Sequence, residues 1–135
     1  MKKISLPIFS LIIASAFSSA AADTLSSELG TVYGKNFFNI LSFKREERGL
    51  NGVVSFEGLL IGFAGSVIVA IIYAIGFGWN AAFFWIIIAG TAGNIADSVM
   101  GASLERKGML GNNVVNFLNT VCAAGVCVIL FWIFH

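Results

Sequence analysis

From Gly58 to Asn94 the chain carries no charged residue. A membrane span needs about 20 mostly apolar residues, so this run is long enough for two helices. It breaks at Gly76-Phe77-Gly78-Trp79-Asn80, where two glycines, an aromatic and an amide suit a short turn with Trp79 at the membrane surface. Two further stretches, Ile4–Ala22 and Val114–Phe134, are also free of charge. Overall 58% of residues are hydrophobic and 11% charged, whereas a soluble domain carries about a quarter charged residues. The sequence therefore predicts an all-α, polytopic membrane helix bundle forming a single membrane domain over residues 1–135. Its four spans are expected at roughly 4–27, 54–76, 80–103 and 113–134.

The first segment also imitates a secretory signal, with Lys2-Lys3, an apolar stretch and the small residues Ser18-Ser19-Ala20-Ala21-Ala22. Helical spacing nevertheless puts Ser15, Ser19, Asp23 and Ser27 on one face that runs straight through the apparent cleavage point, so we read it as a retained span. Orientation follows from Lys and Arg, which are in excess in short cytoplasmic loops. Loop 30–52 holds Lys35, Lys44, Arg45 and Arg48, and loop 104–112 holds Arg106 and Lys107. Both are expected to be cytoplasmic in a multi-pass cell-membrane protein, with the termini outside; Lys2 and Lys3 alone oppose this. A net charge of +1 gives no reason to expect nucleic acid, which needs a clustered basic surface. Cys122 and Cys127 are five apart in an apolar run and read as buried small residues, not a disulfide or metal pair.

A carboxylate within a span costs at least about 2.5 kcal/mol and usually faces a cavity or a partner. Two qualify: Asp23, on the serine face, and Asp97, on a face with Ala89, Gly93 and Gly101. Simple solvation at the interface is the alternative for both. The last span opens with Asn112, Asn116 and Asn119, with Asn113 beside them; such amides either orient a phosphate or a metal-bound water, or join helices. Residues 44–58 run from basic side chains through a Gly/Asn turn to a helix start that Ser55 can cap. That is a physically suitable anion site, although such loops more often anchor lipid headgroups. His135, the one histidine, is terminal, and there is no Walker-type loop, CxxC or HExxH.

Taken in order, Ala20-Ala21-Ala22-Asp23-Thr24-Leu25-Ser26-Ser27-Glu28-Leu29-Gly30, Gly49-Leu50-Asn51-Gly52-Val53-Val54-Ser55-Phe56-Glu57-Gly58, Asp97-Ser98-Val99-Met100-Gly101-Ala102 and Asn112-Asn113-Val114-Val115-Asn116 resemble one family. It is the integral membrane family labelled domain of unknown function ninety-two, which includes transmembrane protein nineteen and the plant phytyl-phosphate kinase. Members often show Gly-Gly-Val-Ser where this chain has Asn51-Gly52-Val53-Val54-Ser55, and Gln where it has Glu105. They are usually longer, so the resemblance implies further upstream helices or an oligomer. A fainter similarity, Asp23…Gly30…Gly34-Lys35…Lys44-Arg45…Glu57-Gly58, is to membrane enzymes that use CTP.

These resemblances imply a CTP-dependent isoprenoid-phosphate kinase or related transferase at the cytoplasmic membrane face. Asp23 and Asp97 would be catalytic and hold Mg²⁺. Lys35, Lys44 and Arg45 would neutralise nucleotide phosphates, with Asn51, Gly52, Ser55 and Glu57 in the same binding loop, while Asn112 and Asn116 would position the acceptor. The partner would be a membrane lipid or isoprenoid phosphate. A small ion or solute transporter using the same acids, or a membrane component without chemistry, are the competing expectations.

Overall fold

The computed structural model describes residues 5–134; Lys2, Lys3, Ile4 and His135, used above, lie outside the described residues. Helix α1 spans Ser5–Tyr33, strands β1 and β2 span Phe37–Asn39 and Val53–Ser55, and helix α2 spans Phe56–Phe77. Helix α3, Ala82–Met100, runs on as a π-helical turn over Gly101–Glu105, and α4 spans Asn112–Phe134. All four helices are long and apolar enough to cross a membrane.

Helix α1 continues past the expected limit at residue 27 because nothing in Glu28–Tyr33 breaks it, and Pro7 sits in the first turn, where its missing N–H costs nothing. Its 29 residues reach roughly 43 Å at about 1.5 Å each, against a hydrocarbon core of about 30 Å. Its polar end therefore projects beyond the apolar layer. The Gly34 N–H, 2.8 Å from Gly30 O, closes the last turn. At the opposite end of the bundle, Gly78 adopts φ +101° and donates its N–H to Ala74 O at 2.8 Å, ending α2. Asn80 Oδ1 then accepts the Ala82 N–H at 2.9 Å and opens α3.

Among the described residues, the departure from all-helix is a small hairpin between α1 and α2. β1 pairs antiparallel with β2 in the register Phe37↔Ser55, Phe38↔Val54 and Asn39↔Val53. Ser55 ends the strand and caps α2, its Oγ accepting the Gly58 N–H at 3.0 Å.

Helices α1 and α3 form the centre, each touching the other three helices. Small residues line their interfaces: Ala22, Ala70, Ala74, Ala89 and Ala123 are buried, as are Ser15, Ser18, Ser19 and Ser66. Large apolar side chains such as Phe17, Ile72, Ile75, Phe117 and Trp132 point outward. That inversion of a soluble core is what lipid solvent requires, since helices in a bilayer associate by close packing and not by hiding apolar surface. Helices α1 and α2 meet backbone to backbone, where a Cβ built on Gly30 would lie 2.8 Å from Gly58 Cα. Away from the loops, Trp85 packs edge-on to Phe131 with ring centroids 6.3 Å apart.

Candidate functional site

At the hairpin end of the bundle, α1, α3 and α4 surround a cavity of about 380 Å³, and residues 49–55 form its roof. Asp23 enters from α1 and Asp97 from α3, and the two carboxyl groups face the same cavity, close enough to act on one another. Glu105 is near enough to act electrostatically on both. An α-helix turns about 100° per residue, which would carry Glu105 about 80° round from Asp97. The π turn over Gly101–Glu105 takes up this angle and returns the carboxylate to the acidic face.

Behind Asp97 stands a buried amide. Asn119 Nδ2 of α4 donates to Asp97 Oδ1 at 3.1 Å, and its own Oδ1 accepts Ser19 Oγ of α1 at 3.0 Å. Three helices are thus tied together at the depth of the acids. The roof is also fixed from the residue that follows the π turn. Arg106 Nε donates to Asn51 O at 2.7 Å, and Arg106 pairs with Glu46 at 2.5 Å. This guanidinium, with the Asn39 amide, holds the Glu46 carboxyl below the usual carboxylate range. Gly52, at φ +79°, packs so closely on Ala102 that a Cβ there would collide with its backbone.

Of the residues singled out in the sequence, Asp23, Asp97, Asn51, Gly52, Ser55, Asn112 and Asn116 all line this cavity. Lys35, Lys44, Arg45 and Glu57 do not. Lys35 and Arg45 line a separate surface groove with Asn36, Phe37, Glu46, Glu47 and Arg48. Lys44 is exposed in the turn that follows β1, and Glu57 accepts the backbone N–H of Lys35 at 3.2 Å. The cavity lining also includes Glu28, Asn94, Ser98 and Glu105, which the sequence reading left out of the site. Asn94 and Ser98 were within reach of helical spacing, one turn before and one residue after Asp97; Glu105 was hidden by the π turn.

The lining is acidic, with Asp23, Glu28, Asp97 and Glu105, and no Lys or Arg side chain belongs to it. The remainder is mostly amide, hydroxyl and glycine, with Phe37, Leu50, Val53 and Val54 as its apolar part. Such a surface attracts cations, or anions that arrive already carrying cations.

A model of the family described as "Integral membrane protein DUF92" matches residues 2–124. The chain is 39% identical over 116 residues to an uncharacterized membrane protein of Synechocystis, covering 84% of this chain and 45% of that protein. It is 33% identical over 117 residues to an uncharacterized membrane protein of Methanocaldococcus jannaschii, covering 87% and 49%. Against "Protein VTE6, chloroplastic" of Arabidopsis thaliana it is 32% identical over 127 residues, covering 91% and 38%. The chain thus spans less than half the length of each of these relatives. No solved structure matches it. With four membrane-length helices and a family match over nearly its whole length, this chain is an integral membrane protein and belongs to the DUF92 family.

Proposed function

We propose that the cavity is the phosphate-handling part of a nucleotide-dependent kinase for an isoprenoid phosphate, with CTP as the donor. The observation that carries this reading is the convergence of Asp23, Asp97 and Glu105 on one cavity, beneath a glycine-containing roof at the loop end of the bundle. Carboxylates are not brought together within a membrane protein without a compensating cation or function. The relatedness to the plant protein, together with the phytyl-phosphate kinase resemblance of the motifs, supplies the substrate class.

The donor set suits Mg²⁺. Among the described residues no group of three or more His, Cys, Asp or Glu is arranged as a ready-made metal cage. Magnesium does not need one: it takes one or two carboxylates and completes its shell with waters and substrate phosphate oxygens. Asp23 and Asp97 would hold it, with Glu105 at the edge, and it would supply neutralisation of the phosphate charge. The chain's own residues do the rest. Asn112 and Asn116 offer amide donors to phosphate oxygens, Asn119 keeps Asp97 oriented, and the roof excludes water from the transfer. In the reaction an oxygen of the acceptor monophosphate attacks the terminal phosphorus of CTP, CDP leaves, and a prenyl diphosphate forms.

The test is transfer of label from γ-labelled CTP to phytyl or geranylgeranyl phosphate in vesicles holding the full chain, with Mg²⁺ present and absent. Magnesium-dependent labelled diphosphate is expected, and its loss in Asp23→Asn and in Asp97→Asn. Unchanged transfer in both variants would overturn the reading.

A second reading has one observation of its own. The polar track does not stop at the cavity: deeper in the bundle Ser15, Ser66 and Thr91 bury hydroxyls that have no hydrogen-bond partner among the described residues. A cation path would use such groups. Cation flux in the same vesicles, lost in Asp97→Asn, would favour transport.

A further inference from the structure

The basic residues of the long loop are not at the acidic cavity, and their placement asks for another role. Lys44 closes the turn that follows β1, Arg45 is bridged back to Phe38, and Lys35 and Arg45 line the groove beside this turn, a space of about 650 Å³. The acids in this groove are Glu46, already paired with Arg106, and Glu47. Arg48 is partly engaged, donating to Thr31 O at 2.8 Å and lying over the Phe37 ring at 5.1 Å, and Arg45 bonds Asn36 Oδ1. Neither Lys35 nor Lys44 has an ion-pair partner among the described residues. The patch is therefore basic in balance.

The same turn is apolar. Leu41 is 50% and Phe43 74% exposed. Phe43 sits at φ +60°, a region bulky residues avoid at a cost of about 1–2 kcal/mol. The loop imposes that conformation through Asn39, whose carbonyl accepts the Phe43 N–H at 2.8 Å and whose side-chain Oδ1 accepts the Leu41 and Ser42 N–H groups at 2.8 and 3.3 Å. The result is a largely exposed aromatic ring, stacked on Phe38 with centroids 6.1 Å apart and next to a lysine, in the turn that follows β1.

The helix ends beside this turn also present apolar side chains at the surface. The last turn of α1 exposes Val32 and Tyr33, and the first residue of α2, Phe56, is 65% exposed. Large apolar side chains flanked by Lys and Arg at the end of membrane-spanning helices are the composition of an interfacial anchor.

We propose that the turn after β1 is a membrane-surface anchor: Leu41 and Phe43 enter the adjacent leaflet while Lys35, Lys44 and Arg45 take the phosphates of anionic phospholipids. The partner is the bilayer that holds the helices, and the attraction is charge complementarity added to apolar insertion. The anchor is independent of the phosphotransfer reading, because none of its side chains lines the acidic cavity.

A fluorophore on Phe43→Cys, in a Cys122→Ala/Cys127→Ala background, reports the environment of the turn. Leu41→Cys gives a second label should the first disturb the loop. In phosphatidylcholine vesicles containing phosphatidylglycerol, the label should be shielded from aqueous iodide and quenched by brominated acyl chains. Replacing Lys35, Lys44 and Arg45 by Gln, or removing the anionic lipid, should lower the shielded population at least about fivefold. Either of two results overturns the proposal: a label equally open to iodide in every membrane, or one shielded equally with and without anionic lipid. Shielding that persists in non-ionic detergent and rises with protein concentration would assign the turn to a second copy of the chain and overturn it too.

Discussion

Asn119 holds Asp97 across 3.1 Å from one helix to the next, and because Ser19 occupies the other end of the same amide, the side chain cannot turn over without losing both bonds. Asn119 is 1% exposed, so a substitution leaves buried polar groups behind it. Asn119→Ala should lower unfolding stability in detergent by about 1–3 kcal/mol. If the loss arises at Asp97, combining it with Asp97→Asn should be clearly non-additive in a double-mutant cycle. Additive losses would show that Asn119 acts elsewhere.

The reach of sequence reasoning follows the physics of each signal. Four membrane helices were legible because apolar length is a one-dimensional property, and the Asp23 and Asp97 faces because α-helical spacing repeats every turn. The hairpin was not legible. Phe37-Phe38-Asn39 and Val53-Val54-Ser55 are three residues each, too short for any periodicity, and they pair across a loop of thirteen residues. Glu105 was lost for a different reason, since the π turn changes the angular spacing on which face assignment depends. The basic loop misled in a third way: charge in a sequence has no direction, and Lys35 and Arg45 point into the outer groove instead of the cavity.

Close helix contact predicts an asymmetric response to adding one methyl group. At Gly30 the obstacle is Gly58 Cα at 2.8 Å, a backbone atom that cannot rotate away. Gly30→Ala should force α1 from α2 and cost about 1–3 kcal/mol. Gly125, also within a helix, has nothing within 4 Å of the added carbon. Gly125→Ala should leave the thermal midpoint in detergent unchanged or higher. Equal losses at the two positions would contradict the packing described.

The Arg106–Glu46 pair predicts how the roof responds to acid. Arg106 holds the Glu46 carboxyl below its ordinary range, so the folded loop favours the ionised form. The stabilisation is therefore complete above the ordinary glutamate range and is lost as pH falls through the depressed value. Hydrogen-exchange protection in residues 45–52, measured relative to the intrinsic rate at each pH, should be high at neutral pH and fall on strong acidification. In Arg106→Gln the protection should be low throughout. A loop equally protected in that variant would show that Gly52 packing on Ala102 holds the roof without the ion pair.

The same ion pair bears on topology. Glu46 lies in the loop between α1 and α2, and Arg106 in the loop between α3 and α4, so their contact puts both loops at one end of the bundle. The turn around Trp79 lies at the other. With Lys35, Lys44, Arg45, Arg48, Arg106 and Lys107 all at one end, the positive-charge rule predicts that this end faces the cytoplasm. Single cysteines at Glu47 and Met109, both exposed, should then resist an impermeant thiol reagent in intact cells and react once the membrane is opened. A cysteine at Trp79, 65% exposed, should react at once. The reverse pattern would put the acidic cavity on the outer face, away from cytosolic nucleotide, and would remove CTP as the donor.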